Sequence, residues 1–386
     1  MKGRKFVSLI FLALMACTAT PRQEEGASGQ PQAAPDLPPQ LDEWIGHMLM
    51  VGFRGTRLED DDPFLRQIGS LHLGGTVLFD YDVPSGRPLR NIEDAQQVRQ
   101  LTRTLQAAAA HPLLIAIDQE GGRVARLKPR HGFPETLSQQ ALGRLDDQQR
   151  TRRQAREVAQ LLRDLGVNVN FAPVLDLNLH PQNPIIGAYQ RSYSEDPEVV
   201  VRHARWTIDE FHRQSLLAAV KHFPGHGSSR QDSHLGLPDV TPYWQPVELI
   251  PFARLIEEGL PDMVMTAHLY HSQWDEELPA TLSPQVIEGI LRQRLGFEGA
   301  VVSDDLQMGA IAQRYELGET VLRAVEAGVD ILVFSNNSPA GYDPEIAPKA
   351  HAALRQLVQQ GKISPRRVRA SYERVRRLQS RLPPID

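Results

Sequence analysis

Within fourteen positions, from Lys221 to His234, the chain places Lys221, His222, His226, Asp232 and His234. One cation, three imidazoles and one carboxylate can transfer protons, ligate a metal or bind a polar ligand. The apolar run 217–220 leads in as a strand would. Pro224, Gly225 and Gly227 then end regular structure, so these groups belong to a loop at a strand end, on backbone able to move. A lone histidine is more often a satisfied core or surface residue than a reacting one. Five titratable side chains crowded among turn residues argue for chemistry instead.

Absences narrow that chemistry. The sequence has no glycine-rich phosphate cradle and no Gly-x-Ser-x-Gly elbow, and its single cysteine, Cys17, stands far from this stretch. His222, His226, His234 and Asp232 have the ligand types of a zinc site, but Lys221 would put a positive charge beside the ion. What remains is a carboxylate nucleophile working with a general acid, which suits glycosidic bond cleavage. The acid must be protonated near neutral pH, and an imidazolium kept charged by a neighbouring carboxylate meets that need. Asp232 and His234 can form such a pair.

These groups need a scaffold. Apolar runs at 48–53, 75–79, 113–118, 167–173, 218–222, 263–268, 299–303 and 330–334 are rich in Val, Ile and Leu without clean alternation. That pattern suits parallel strands covered on both faces. Helix-like stretches at 92–109, 148–165, 195–215, 247–258, 284–295 and 317–326 lie between them. The α/β repetition predicts a (β/α)8 TIM-type barrel forming a single catalytic domain. An open doubly wound sheet is the alternative, but no Gly-x-Gly-x-x-Gly follows the first strand. In a barrel, the active site gathers at the C-terminal strand ends. Those ends carry Asp118-Gln119-Glu120, then Asp176 with Arg191 beyond, Lys221-His222, His268 and Ser303-Asp304-Asp305. Asp305 could equally be a helix N-cap. A last helix at 364–382 opens on Ser364 and Pro365. Val368, Tyr372, Val375, Leu378 and Leu382 form its buried stripe, and its seven arginines read as a solvated face.

The N-terminus stands apart. Lys2, Arg4 and Lys5 precede an apolar run, 6–15, too short to cross a bilayer but suited to a signal peptide. Leu14-Met15-Ala16-Cys17 resembles a bacterial lipoprotein cleavage box. The expected organisation is a signal peptide at 1–16, a tether at 17–40 rich in Pro, Gln, Ala and Gly, the barrel at 41–382 and a tail at 383–386. A mature chain starting at lipid-bearing Cys17 would be exported and held at a membrane, on the periplasmic or cell-surface side. Its net charge would fall from −5 to −8 with the loss of those three basic residues. Interspersed charges suggest no nucleic-acid partner, and no obligate protein partner is inferred.

The sequence resembles glycoside hydrolase family 3, in its single-domain β-N-acetylglucosaminidase branch. The resemblance rests on Lys-His-Phe-Pro-Gly-His-Gly at 221–227 with Asp-Ser-His at 232–234. It extends to Ile-Asp-Gln-Glu-Gly-Gly-Arg-Val at 117–124 and Leu-Gly-Phe-Glu-Gly-Ala-Val-Val-Ser-Asp-Asp-Leu at 295–306. It implies that Asp304 is the nucleophile and that His234, oriented by Asp232, is the acid/base. Asp118, Arg191, Lys221 and His222 would hold the terminal sugar, with retention of configuration and neither metal nor organic cofactor. Broader members of the family take their acid/base from a second domain, which is not expected here. Gln307, and the stretch Ile-Ile-Gly-Ala-Tyr-Gln before Arg191 with Tyr193 after Ser192, depart from the family pattern. The substrate so implied is a cell-wall fragment ending in β-linked N-acetylglucosamine. Other exo-β-glycosidases such as a β-glucosidase, a phosphorylase and a non-catalytic glycan-binding lipoprotein are the rival readings.

Overall fold

The computed structural model describes residues 37–383; the signal-peptide and Cys17 expectations lie outside the described residues. Eight parallel strands lie in the order β7-β6-β5-β4-β3-β2-β1-β8. They are β1 (Leu49–Gly52), β2 (Gly75–Leu78), β3 (Leu114–Ile117), β4 (Val169–Asn170), β5 (Leu217–Phe223), β6 (Met263–Thr266), β7 (Ala300–Val302) and β8 (Leu332–Phe334). A parallel bridge between Val302 and Ile331 closes the ring between β7 and β8, completing the barrel read from the sequence. All strands but β5 are four residues or shorter within the expected runs, because pairing covers only the middle of each apolar stretch. β5 runs through Lys221 and His222 to Phe223, with a register shift against β6 between Val220 and Phe223.

Side chains alternate inward and outward. Met50, Val77, Leu114, Leu217, Met263, Ala300 and Val333 pack inside the barrel. The intervening residues meet the surrounding helices. Carboxylates fix several helix starts: Asp94 caps Ala95–Ala107, Asp147 caps Gln148–Asp164 and Asp196 caps Pro197–Arg213. Helices not expected from the sequence add to the outer layer, among them Leu41–His47 before β1, Pro63–Ser70 after β1, Gln139–Leu145 after β3 and Ile346–Gln359 after β8.

The last helix, Pro365–Gln379, is capped by Ser364 as expected, but its arginines are not simply solvated. Val375, Leu378 and Leu382 join the apolar filling of the barrel, so the helix plugs its N-terminal end. Tyr372 is only half-buried. Arg367 and Arg374 reach buried Asp330, and Arg381 reaches buried Asp262. The arginine face therefore grips the barrel floor. Among the described residues no helix is long and apolar enough to cross a membrane.

Candidate active site

At the C-terminal end of the strands lies a cavity of about 560 Å³. Asp118, Arg191, Lys221, His222, Asp232, His234 and Asp304 all line it, so the barrel brings together every catalytic and sugar-binding residue expected from the sequence. They form three groups with different electrostatics.

The floor is an ion-pair cluster. Lys221 Nζ donates to Asp118 Oδ1 at 2.7 Å and lies 2.7 Å from Glu120 Oε1. Arg191 spans Glu120 with Nε at 2.8 Å and Nη2 at 2.7 Å, and Arg126 holds the other oxygen of Asp118 at 3.0 Å. Burial opposes ionisation of Asp118 and Glu120. The neighbouring cations outweigh it and hold both carboxyls below the usual carboxylate range. Burial also opposes the charge on Arg191, but Glu120, Asp176 and Asp118 raise its pKa further. Lys221 uses two of its three protons on these carboxylates, and each Asp118 oxygen has a further lone pair. The floor can thus donate to and accept from hydroxyl groups without first being reorganised. Glu120, to which the sequence reading assigned no role, joins the cations of this cluster; its sequence signals were its place at the end of the third strand and within the 117–124 stretch.

Asp176 organises the second group. It is fully buried, and its Oδ2 meets His222 Nδ1 at 2.6 Å while Oδ1 takes the His226 backbone N–H at 2.7 Å. Arg191 Nη2 faces His222 Nε2 at 3.2 Å. A guanidinium only donates, so Nε2 accepts and Nδ1 carries the proton to Asp176. That fixes the ring and its tautomer. His226 is buried, which lowers its pKa to about 4 and keeps it neutral.

The loop after β5 is not uniformly mobile as its glycines suggested. Residues 221–229 are buried. A Cβ on Gly227 would lie 1.8 Å from the Leu177 carbonyl oxygen, so glycine serves close packing there. Asn183 Nδ2 donates to the His226 carbonyl at 2.7 Å, and Glu248 takes the Gly227 N–H at 2.9 Å. Only the part carrying Asp232 and His234 emerges. There His234 Nδ1 lies 2.7 Å from Asp232 Oδ1, which also accepts the His234 backbone N–H at 2.8 Å. The imidazole is 60% exposed, which places its free edge at the cavity mouth rather than on the floor.

Asp304, just beyond β7, makes the third group alone. Among the described residues its one donor is the Asp305 N–H, on Oδ1 at 2.8 Å, and it faces the cavity. Burial would raise its pKa, but the neighbouring imidazoles, His268 first, and the Asp305 N–H bring it below the ordinary carboxylate value. Asp305 also lines the cavity, but its Oδ1 is taken by backbone and it does not cap the helix that follows, which starts after Met308. It takes Ser335 N–H at 2.9 Å and Gln307 N–H at 3.1 Å, tying the β7 loop to the β8 loop. Buried His268 donates from Nε2 to the Asp305 carbonyl at 2.9 Å, fixing the backbone beside Asp304. Among the described residues no three or more His, Cys, Asp or Glu are arranged to hold a metal ion.

Residues 40–378 match the glycosyl hydrolase family 3 N-terminal domain. The chain belongs to glycosyl hydrolase family 3. A β-hexosaminidase of Alkalilimnicola ehrlichii is 37% identical, covering 83% of this chain and 87% of that protein. β-Hexosaminidase A of Pseudoalteromonas piscicida is 31% identical over 91% of this chain, which spans only 62% of that longer relative. Among solved structures, a family 3 β-N-acetylglucosaminidase from Paenibacillus has 39% identity and a TM-score of 0.79, covering 88% of this chain and 62% of its own. A β-N-acetylhexosaminidase from Beutenbergia cavernae has 29% identity and a TM-score of 0.74, covering 88% of this chain and 98% of its own. The relatives bear out a glycoside hydrolase built on a (β/α)8 barrel.

Proposed function

We propose that this family 3 member is a retaining exo-β-N-acetylglucosaminidase acting on peptidoglycan-derived or related oligosaccharides. The observation that carries the proposal is the free carboxylate of Asp304 lining one cavity with the Asp232–His234 couple. Asp304 would attack the anomeric carbon, expelling the leaving alcohol and forming a glycosyl ester. His234 would give its proton to the departing oxygen, then take one from the water that opens the ester. Asp232 would orient the ring through its 2.7 Å contact with Nδ1. The ion-paired floor of Asp118, Lys221, Arg191 and His222 closes the cavity beneath one sugar, which suits removal of a terminal residue. The names of the relatives support the choice of N-acetylglucosamine.

The test pairs two variants with two leaving groups. Asp304→Ala should abolish turnover of both an aryl and an alkyl β-N-acetylglucosaminide. His234→Ala should lose about 10²–10⁴-fold on the alkyl glycoside and less on the activated aryl one, since a good leaving group needs little protonation. Equal losses would remove His234 from the acid role, and preference for an aryl β-glucoside would move the substrate class. Transfer to phosphate is a second reading, because an imidazole repels an incoming anion less than a carboxylate acid/base would. A sugar phosphate formed in phosphate buffer would establish it. The proposal extends to the N-terminus: the basic residues, apolar run and Cys17 suit a lipid anchor. Cys17→Ser should then shift the protein from the membrane fraction to the soluble one.

A further inference from the structure

The wall of the cavity above the ion-paired floor has no part in the chemistry just described. It is built largely by the loop after β2, where Tyr81 and Val83 are each 40% exposed and line the cavity mouth. An aromatic ring exposed at the mouth of a polar cavity offers a ligand an apolar face. This loop is also held unusually firmly. Buried Asp82 binds Arg54 at 2.7 Å, buried Arg90 at 2.8 Å and the Ser85 N–H at 3.0 Å. Asn337, past β8, accepts from Val83 N at 2.9 Å and donates to the Tyr81 carbonyl at 3.0 Å. A buried ion pair and a side-chain clamp thus fix the backbone on both sides of an exposed ring.

Beside that ring stands a polar edge. Asp80 is buried and lines the same cavity, and both Lys128 Nζ (2.7 Å) and Arg130 Nη2 (2.5 Å) meet its Oδ2. Its Oδ1 takes no protein donor among the described residues and remains an acceptor. A flat apolar face next to a fixed acceptor matches a pyranose ring, which has an axial C–H face and a hydroxyl edge. Its place in the reaction follows from exposure. His234, the group that must touch the scissile oxygen, is itself at the mouth. Whatever lies beyond that oxygen therefore lies among the mouth residues.

Resting on the activity proposed above, we propose that Asp80, Tyr81 and Val83 form a leaving-group subsite that receives a second sugar ring, stacked on Tyr81. The chain would then discriminate by its aglycone, favouring a saccharide over a small alcohol. Tyr81 is a specificity-determining residue in this account, with no part in bond cleavage.

The experiment compares di-N-acetylchitobiose with methyl β-N-acetylglucosaminide, which share the reacting sugar and a poor leaving group but differ in the second ring. Tyr81→Ala should lower kcat/KM for the disaccharide relative to the methyl glycoside by between about twofold and about tenfold, the range one aromatic face contributes. The loss should lie mainly in KM. Tyr81→Phe should restore the wild-type ratio. A ratio unchanged in Tyr81→Ala, or equal losses on both substrates, would overturn the subsite. Calorimetric titration of both sugars into Asp304→Asn, with and without Tyr81→Ala, reads the same ratio as Kd without turnover. A wild-type protein that cleaves neither glycoside would defeat the proposed activity, while the Kd ratio would still decide the subsite.

Discussion

Two aspartates at opposite ends of the barrel, Asp330 and Asp304, show how surroundings separate structure from chemistry. At the N-terminal end Asp330 is fully buried, and both its oxygens are saturated. Oδ2 takes Arg292 at 2.7 Å and the Val301 N–H at 3.0 Å; Oδ1 takes Ser371 at 2.6 Å and Arg374 at 3.2 Å. At the C-terminal end Asp304 has one backbone donor and an open cavity. Both carboxylates sit beside neighbouring strands, β8 and β7. One has no lone pair to offer a ligand; the other has little else to do. Asp304 is also only half-buried, so donor count and exposure together distinguish a staple from a reagent here.

The sharpest way to break that contrast is to delete each acid. Asp304→Ala should reduce turnover by about 10⁴-fold or more, on the scale of losing one member of a catalytic unit, with Tm nearly unchanged. Asp330→Ala should do the reverse. It leaves Arg292, itself 8% exposed, without its partner, and breaking a buried pair costs about 3–5 kcal/mol. The expected result is a large fall in Tm with kcat per folded molecule preserved. A thermal melt and an active-site titration on both variants check this, and a catalytic loss in folded Asp330→Ala would dissolve the distinction.

Glu120 sharpens the comparison because it belongs to both classes. Like Asp330 it is buried and ion-paired through both oxygens, yet its partners Arg191 and Lys221 line the cavity. Glu120→Gln removes the charge that holds those two cations in register. The expected effect is a kcat/KM loss of about 10²-fold, the scale of displacing positioning groups by an ångström, together with a smaller fall in Tm. Loss of Tm alone would place Glu120 with Asp330.

The same division explains what could be read before the fold was known. Strand positions were legible because Val, Ile and Leu runs mark buried parallel strands. Asp118, Lys221, His222 and Asp304 were legible because charged residues ending such runs have no packing reason to be there. The barrel floor was not. The partners of Arg374 and Arg381 are Asp330 and Asp262, 44 and 119 residues away, so the last helix looked merely charged. The helix Ile346–Gln359 was missed because Pro348 stands in its first turn and alanines dilute its apolar stripe. Gly227 looked like flexibility because the Leu177 carbonyl that demands glycine is fifty positions earlier.

The smallest expected effect concerns Glu248, a buried acid beneath the rigid half of the histidine loop. Among the described residues it faces neutral donors, the N–H groups of Gly227, Ser228 and Gln245 and the Ser228 hydroxyl. Burial raises its pKa from 4.5 to about 7, and repulsion from Asp176 adds to this against the hydrogen bonds. The raised value fixes the sign. Between the unfolded value near 4.5 and about 7, the folded chain holds a proton that the unfolded chain has released, so folding stability falls as pH rises through that window. The slope reaches at most about 1.4 kcal/mol per pH unit, the value for one proton. Glu248→Gln carries no titrating proton, so its stability should vary less steeply than wild type between pH 5 and 7. It should also be less stable near neutral pH, because its amide turns donors toward donors in the loop. Urea unfolding of both proteins across that pH range measures the difference. Parallel slopes would mean that Glu248 is ionised throughout, and that the loop rests on a staple as saturated as Asp330.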